Sequence, residues 1–248
     1  MRTNVPHTLE ESNKIRCNNH DFTFSHYEDM LGQAKKAGYK FPLFRNFTDF
    51  ELEEKILLLR HDVEFKPERA VQLAEIENKL GICATYFIRV HANNYNPFSY
   101  NSYTRIRRIK QLGHEIGLHF ESAELARITG ENELQLFLRA KNALENVIDD
   151  VIVSVSEHKD KRSQSELGLT FFHRFTKQQC GIKNEAYESR FFGGLKYISD
   201  SNGVWREGCL CHHLMVQPRL YVLTHPYLWY REHYFIDETV TVPIHRES

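Results

Sequence analysis

Residues 57–65 read LLLRHDVEF. Leu57, Leu58 and Leu59 form an apolar run without polar alternation, the pattern of a parallel strand covered on both faces. The run ends in Arg60, His61, Asp62 and Glu64. Side chains on a strand alternate between faces, so Asp62 and Glu64 share one face while His61 and Val63 share the other. Two carboxylates about 7 Å apart on one face repel each other unless positive charge lies between them. A metal ion would supply that charge, and so would a buried Arg. Structural ion pairs also gather charges at strand ends, so both readings stand open on this stretch alone.

The chain on either side alternates strand and helix. A helix is expected from SHYED, with Ser25 as N-cap and Glu28 as its capping-box partner. Its apolar stripe is Tyr27, Met30, Leu31 and Ala34, and Gly38 closes it. YKFPLF and KILLLR read as strands. PERAVQLAEIENKLG is a helix with Pro67 in its first turn and Gly81 just past its end. Then follow the strand ICATYFIRV, a helix through YTRIRRIKQLG, the strand HEIGLHF, a longer helix ELQLFLRAKNALENVI and the strand VIVSVSEH. RLYVLTHP is the last clear strand, and residues 160–215 read as loop-rich. At least three alternations between residues 55 and 158 predict βα units and a parallel sheet or barrel. Residues 1–20 read as a polar, loosely ordered leader, and residues 21–248 as a single domain.

The totals narrow the classes of function. A chain of 248 residues can bury the core of one large domain. A net charge of -1 asks for neither nucleic acid nor an anionic membrane. No run of about 18 apolar residues exists, so no membrane span is expected, and the first 20 residues lack the apolar core of a signal peptide. Cys17, Cys83, Cys180, Cys209 and Cys211 form an odd set at irregular spacing. That suits reduced thiols in a cytoplasmic setting better than a disulfide framework.

Parallel α/β folds place their chemistry at the C-terminal ends of their strands. Here one strand ends in His61, Asp62 and Glu64, the next polar one in His119 and Glu121, another in Ser156 and His158, and the last in His225. Four strands thus deliver carboxylates and imidazoles to one rim, which predicts a metal or acid–base site. Nitrogen and oxygen donors without thiolate suit a catalytic Zn²⁺ or a similar divalent ion, Co²⁺ or Ni²⁺ included, with about three protein ligands and one open position. The remaining carboxylate and imidazole groups are free to move protons.

Four segments carry a resemblance to a known family: RHDVEFKPERA at 60–70, GICATYF at 81–87, GHEIGLHFE at 113–121 and VLTHPYLW at 222–229. In residue type, order and spacing they resemble the polysaccharide deacetylases, the NodB-homology group of carbohydrate esterase family 4. The likeness runs over roughly residues 22–230, and it is strongest to a branch with an Arg-His-Asp-Val-Asp motif. The resemblance implies a distorted, incomplete (β/α) barrel of about seven strands and metal-dependent removal of acetyl groups from sugars. It implies Asp62 as general base, Glu64 as a metal ligand, His119 as the first metal histidine and His225 as general acid. The chain departs from the pattern twice. Glu64 stands where the family has Asp, so the roles of Asp62 and Glu64 could be exchanged. Ala123 stands where the second metal histidine belongs. His158 is the expected replacement, because it ends the strand after the one that carries His119 and neighbouring strands usually pair. Glu121 is the alternative.

The expected function is therefore a hydrolase of carbon–nitrogen bonds that removes an acetyl or other acyl group from an N-acylated sugar or polysaccharide precursor. Alternatives are a catalytically degenerate relative that binds a glycan or sugar nucleotide, and an amidohydrolase acting on a non-sugar bond. The expected partner is a small-molecule or oligosaccharide substrate, with His61, Glu121, Trp205, Arg206 and Trp229 as candidate contacts. Trp205 with Arg206 and Asp200 would grip a sugar ring by stacking and hydrogen bonding. His114 reads as structural. Cys209-Leu-Cys211-His212-His213 has no matching ligand pair elsewhere in the sequence and reads as a loop with buried thiols.

Overall fold

The computed structural model describes residues 21–47, 54–158 and 171–232. The expected leader at 1–20 lies outside them. Seven strands pair in the order β5-β4-β3-β2-β1-β7-β6, every pairing parallel. They are β1 Ile56–Val63, β2 Thr85–Arg89, β3 Glu115–Phe120, β4 Ser154–Glu157, β5 Asn184–Glu185, β6 Lys196–Ser199 and β7 Arg219–Thr224. The sheet curls into an incomplete barrel whose open edges are β5 and β6, and the resembled fold is thus the one observed. The longer helices are α1 Phe24–Lys36, α2 Pro67–Lys79, α3 Tyr100–Gln111, α4 Ser122–Thr129 and α5 Glu133–Ile148. None of the described helices is long and apolar enough to cross a membrane.

Period two on β1 sorts the core into two compartments. Leu57, Leu59 and Val63 face the helices and join the larger apolar cluster with Ala70 and Leu73 of α2 and Ile106 and Ile109 of α3. Leu58 faces the barrel interior with Phe44, Phe87, Ala186, Phe191, Leu195 and Tyr221. Phe44 comes from outside the sheet. Its N–H donates to Thr85 Oγ1 (3.3 Å), and the next N–H, of Arg45, donates to Glu115 Oε2 (3.0 Å). Thr85 and Glu115 begin their strands, so this segment plugs the N-terminal end of the barrel.

On the helix side, Glu77 of α2 is fully buried. Its carboxylate accepts from the hydroxyls of Tyr27 and Tyr86 and lies 2.8 Å from His61 Nε2. Burial alone would raise this carboxyl; the opposed His61, with these hydrogen bonds, holds it below its ordinary value. His61 also meets Thr224 Oγ1 at 2.6 Å through Nδ1 and stacks on Tyr86. With 0% exposure, it is a core residue and not the substrate contact expected of it. His114 is structural as expected: its Nε2 lies 3.0 Å from the Ala74 carbonyl, and its Nδ1 accepts from the Ala84 N–H.

Three local expectations differ. The cap of α1 is Thr23, whose hydroxyl accepts from the His26 N–H, because the helix starts two residues earlier than the SHYED signal suggests. YKFPLF makes only a single bridge at Lys40 to Ile56, its extension being spent on delivering Phe44 to the plug. The loop-rich stretch holds β5, β6 and several single-turn helices.

Gly117 on β3 faces inward, and a Cβ there would lie 2.5 Å from the Phe87 ring and 2.8 Å from the Ser154 carbonyl oxygen. One of those atoms is backbone, so relief requires the sheet to move. Gly117→Ala should lower stability by about 1–3 kcal/mol, the range of overpacked cores, read as a fall in the urea midpoint. Glu77→Ala should cost more, about 3–5 kcal/mol, because it strips a buried network of its one anion. With the Glu77 carboxyl held below its unfolded value, its stabilisation is present above that unfolded value, about pH 4.3. It fades as pH falls through the folded one. Glu77→Ala should therefore lose less stability than the wild type on acidification below about pH 4.5.

Candidate metal centre and acid–base site

The polar face of β1 carries Arg60, Asp62 and, one step past the strand, Glu64. Arg60 is fully buried. Its Nε and one terminal nitrogen each donate to Asp62 at 2.8 Å, a two-point pairing, and the guanidinium also donates to Tyr221 Oη (2.8 Å) and Tyr187 Oη (3.2 Å). Burial alone would raise the Asp62 carboxyl, but the Arg60 charge overcomes it and holds Asp62 below the usual carboxylate range. Of the two cations that could relieve this face, the buried Arg serves Asp62.

Glu64 meets two imidazoles instead. His119 Nε2 and His158 Nε2 each lie 3.3 Å from Glu64 Oε1, and the three donor atoms fall within 4.8 Å of one another. His119 ends β3, and His158 follows β4, which pairs with β3 in parallel. His119 Nδ1 lies 3.0 Å from the Ser156 carbonyl oxygen, which can only accept, so Nδ1 carries a proton and Nε2 is the nitrogen turned to Glu64. His158 Nδ1 faces Glu121 Oε2 at 3.7 Å, and Glu121 is itself paired with Arg89. Glu64 Oε1, His119 Nε2 and His158 Nε2 thus converge on one point, where they could serve together as donors to a metal ion. A tetrahedron with bonds of about 2.05 Å has edges of about 3.3 Å, which the two imidazole–carboxylate distances match. Carboxyls backed on their imidazoles are the usual support for such ligands. Burial alone would raise Glu64, yet the two imidazoles keep it well below its ordinary value.

His225 follows β7 on the same rim. Its Nδ1 lies 2.7 Å from Asp200 Oδ1, and its backbone N–H donates to Asp200 Oδ1 and Oδ2 at 3.0 and 2.9 Å. The Trp229 indole N–H donates to Asp200 Oδ2 at 3.0 Å. Burial alone would lower the His225 imidazole, but Asp200 outweighs it, with help from Glu64 and Asp62, and lifts it to about 9. The ring is therefore an imidazolium at neutral pH, with Nε2 left to donate.

The structure brings together Asp62, Glu64, His119, His158 and His225, with Glu121 behind His158. It does not bring in the two tryptophans as sugar platforms. Trp205 and Trp229 are 1% and 0% exposed, packed against Phe22 and each other. A ring sealed in an aromatic cluster has no face to offer a substrate, and Trp229 instead fixes Asp200. Arg206 is exposed on the turn beyond Trp205. Sequence reasoning passes over Arg60 and Arg89 as site residues, and it reads Asp200 as a sugar contact and not as the partner of His225. Arg60 was detectable, since it lies two residues before Asp62 on the same strand face. The Asp200–His225 pairing had no sequence signal, because it depends on β6 lying beside β7.

No protein-family model matches the chain, and no curated protein matches it. Several solved structures are similar to it. A family 4 carbohydrate esterase from Bacillus anthracis is 17% identical with a TM-score of 0.44, over 84% of this chain and 81% of that one. The peptidoglycan deacetylase PdaC from Bacillus subtilis is 14% identical with a TM-score of 0.47, over 71% and 77%. A CE4 family pseudoenzyme from Bacillus anthracis is 14% identical with a TM-score of 0.42, over 71% of this chain and 56% of that one, so the chain spans little more than half its length. At these identities and TM-scores the likeness assigns nothing to this chain, and function is read from the site itself.

If His158 supplies the third donor, His158→Ala should weaken Co²⁺ binding at the nitrogen–oxygen site at least tenfold, about 1.4 kcal/mol. Glu121→Gln, which only loosens the support behind His158, should do less. Titration of the metal-free protein followed by visible cobalt absorption separates the two. Equal affinities for wild type and His158→Ala would remove His158 from the set.

Proposed function

We propose that the protein is a metal-dependent hydrolase that releases an acetyl or similar acyl group from an N-acylated sugar or polysaccharide precursor. The observation that carries this reading is the convergence of Glu64, His119 and His158 beside an ionised Asp62 and a protonated His225. The pairs Arg60–Asp62, Arg89–Glu121 and His225–Asp200 are each internally compensated, whereas Glu64 faces only imidazoles. A divalent ion held by Glu64, His119 and His158, for which Zn²⁺ is the best fit to the donor set, would polarise the acyl carbonyl and acidify water.

The protein's own groups divide the proton work. Asp62, kept ionised and aimed by Arg60, takes a proton from water as its oxygen bonds to the acyl carbon. His225 Nε2 gives a proton to the departing nitrogen as the C–N bond breaks. The products are a carboxylic acid and an amine, with protons balanced. Asp200 positions the imidazolium and compensates its charge. Sugar as substrate rests on the resemblance of the four motifs to polysaccharide deacetylases. The thiols of Cys83, Cys180, Cys209 and Cys211 suit a reducing compartment, so the reading places the reaction in the cytoplasm, on a precursor made there. A silent glycan-binding relative is the weaker reading, because the donor lost at Ala123 is replaced in space by His158.

Acetate release from N-acetylated chito-oligosaccharides and sugar nucleotides should require added Zn²⁺, Co²⁺ or Ni²⁺ and fall at least a hundredfold in Asp62→Asn, the scale of a lost general base. Absence of release with every ion and substrate would sink the deacetylase reading. The active form needs His225 protonated, so kcat/KM should fall as pH rises through the His225 value, which lies near 9 before the charge of a bound ion lowers it. Asp200→Asn removes the anion that raises it and should move this limb down by about one unit or more. A limb that stays in place would exclude His225 as the proton donor.

A further inference from the structure

The same fold holds a second cluster of metal-type donors, made by segments far apart in sequence. His26 Nε2 lies 3.3 Å from Cys209 Sγ and 3.5 Å from Cys211 Sγ, and the two sulfurs are 3.2 Å apart. All three residues are buried. His26 stands in the first turn of α1, on its buried stripe beside Tyr27 and Met30. Cys209 caps, and Cys211 lies within, the single-turn helix Leu210–His213. Gly208, at φ +87°, makes the tight approach to that turn.

Two further contacts orient the set. The other ring nitrogen of His26, Nδ1, faces Asp21 Oδ2 at 3.6 Å. A carboxylate on that side, with the Nε2 side turned toward the sulfurs, is the support pattern of metal-bound histidine. The Met30 thioether lies 3.3 Å from Cys209 Sγ, so the lining is soft and polarisable. Around a zinc ion, tetrahedral angles put nitrogen and sulfur about 3.5 Å apart and two sulfurs about 3.7 Å apart. The two His–Cys distances already match, and the sulfur pair needs to part by roughly half an ångström.

We propose that His26, Cys209 and Cys211 form a second, structural zinc site, distinct from the sulfur-free site at Glu64. Binding converts two thiols to thiolates and releases two protons to solvent. The 2+ ion then neutralises both thiolates, which removes the cost of burying their charge. Three protein donors leave one tetrahedral position for a further donor or water. The ion would pin the first turn of α1 to the β6–β7 connection. That connection begins at Asp200, passes through the buried Trp205 and ends at β7, so the pin braces the aromatic wall behind the His225 acid. The pairing of Cys209-x-Cys211 with a histidine 183 positions earlier is invisible to any search for closely spaced ligand pairs.

The sulfurs provide a signature that the Glu64 site cannot give. The full chain, stripped with a chelator and kept reduced with a phosphine, is titrated with Co²⁺. The wild type should bind two equivalents, one of them with a near-ultraviolet thiolate-to-cobalt charge-transfer band. The double variant Cys209→Ser/Cys211→Ser should lose that band and one equivalent, and His26→Ala should weaken that equivalent at least tenfold. His119→Ala should lose the other equivalent and keep the band. Because the wild-type band is read without any variant, misfolding of the double variant leaves the test intact. Cobalt binding by the wild type without a thiolate band would overturn the proposal, as would a band that survives in a folded double variant. Failure of acetate release alone bears on the Glu64 site and leaves this one untouched.

Discussion

The alternation of side chains along β1 is the constraint from which both sides of the molecule follow. Inward, the strand presents Leu58, Arg60 and Asp62, with Glu64 next in line; outward, it presents Leu57, Leu59, His61 and Val63. A slip of one residue would exchange the two sets, turning the rim apolar and placing Arg60 among helices. The arrangement is held on each face by a buried carboxylate and the side chain it pairs with. Inside, Arg60 locks onto Asp62 and is shielded by the Phe87 and Tyr187 rings, whose centroids lie 5.3 and 4.7 Å from its guanidinium carbon. Outside, His61 locks onto Glu77 and so ties the strand to α2. Buried pairs of this kind add little net stability over an apolar substitute, but they penalise every register except one.

The acid side of the rim shows a second use of burial. Asp200 is wholly enclosed, and the described hydrogen bonds to its carboxylate come from His225 and Trp229. Trp229, which donates to it, is packed in turn against Phe22 and Trp205. An anion in such apolar surroundings has no water to screen it, so its attraction falls on the one imidazole it faces. The aromatic cluster therefore bears on the chemistry from behind the site, through the hydrogen bond by which Trp229 holds that carboxylate.

Much of this was legible in the sequence where it depends on local order. The parallel sheet follows from unbroken apolar strands between helices, and Asp62, Glu64, His119, His158 and His225 follow from reading which residues end those strands. His158 could be chosen over Glu121 because consecutive parallel strands are neighbours. What sequence could not resolve depends on contacts between distant segments. Trp205 and Trp229 look like sugar platforms until α1 brings Phe22 against them. His61 looks like part of the charged rim until alternation and Glu77 claim it for the core. Cys209 and Cys211 look like a plain loop because their third partner sits at His26. Thr23 displaced Ser25 as a helix cap by a shift of two residues, which local pattern does not resolve.

The plug formed by Phe44 has a consequence for traffic. With Phe44, Phe87, Phe191 and Tyr221 filling the interior from the N-terminal end of the strands, the barrel is a cup and not a tube. Among the described residues the barrel axis is filled from that end, so whatever reaches the rim comes to it from the other side. A long polymer cannot be threaded past the site; it can only be laid across the lip, at an end or at an internal unit that bends toward it.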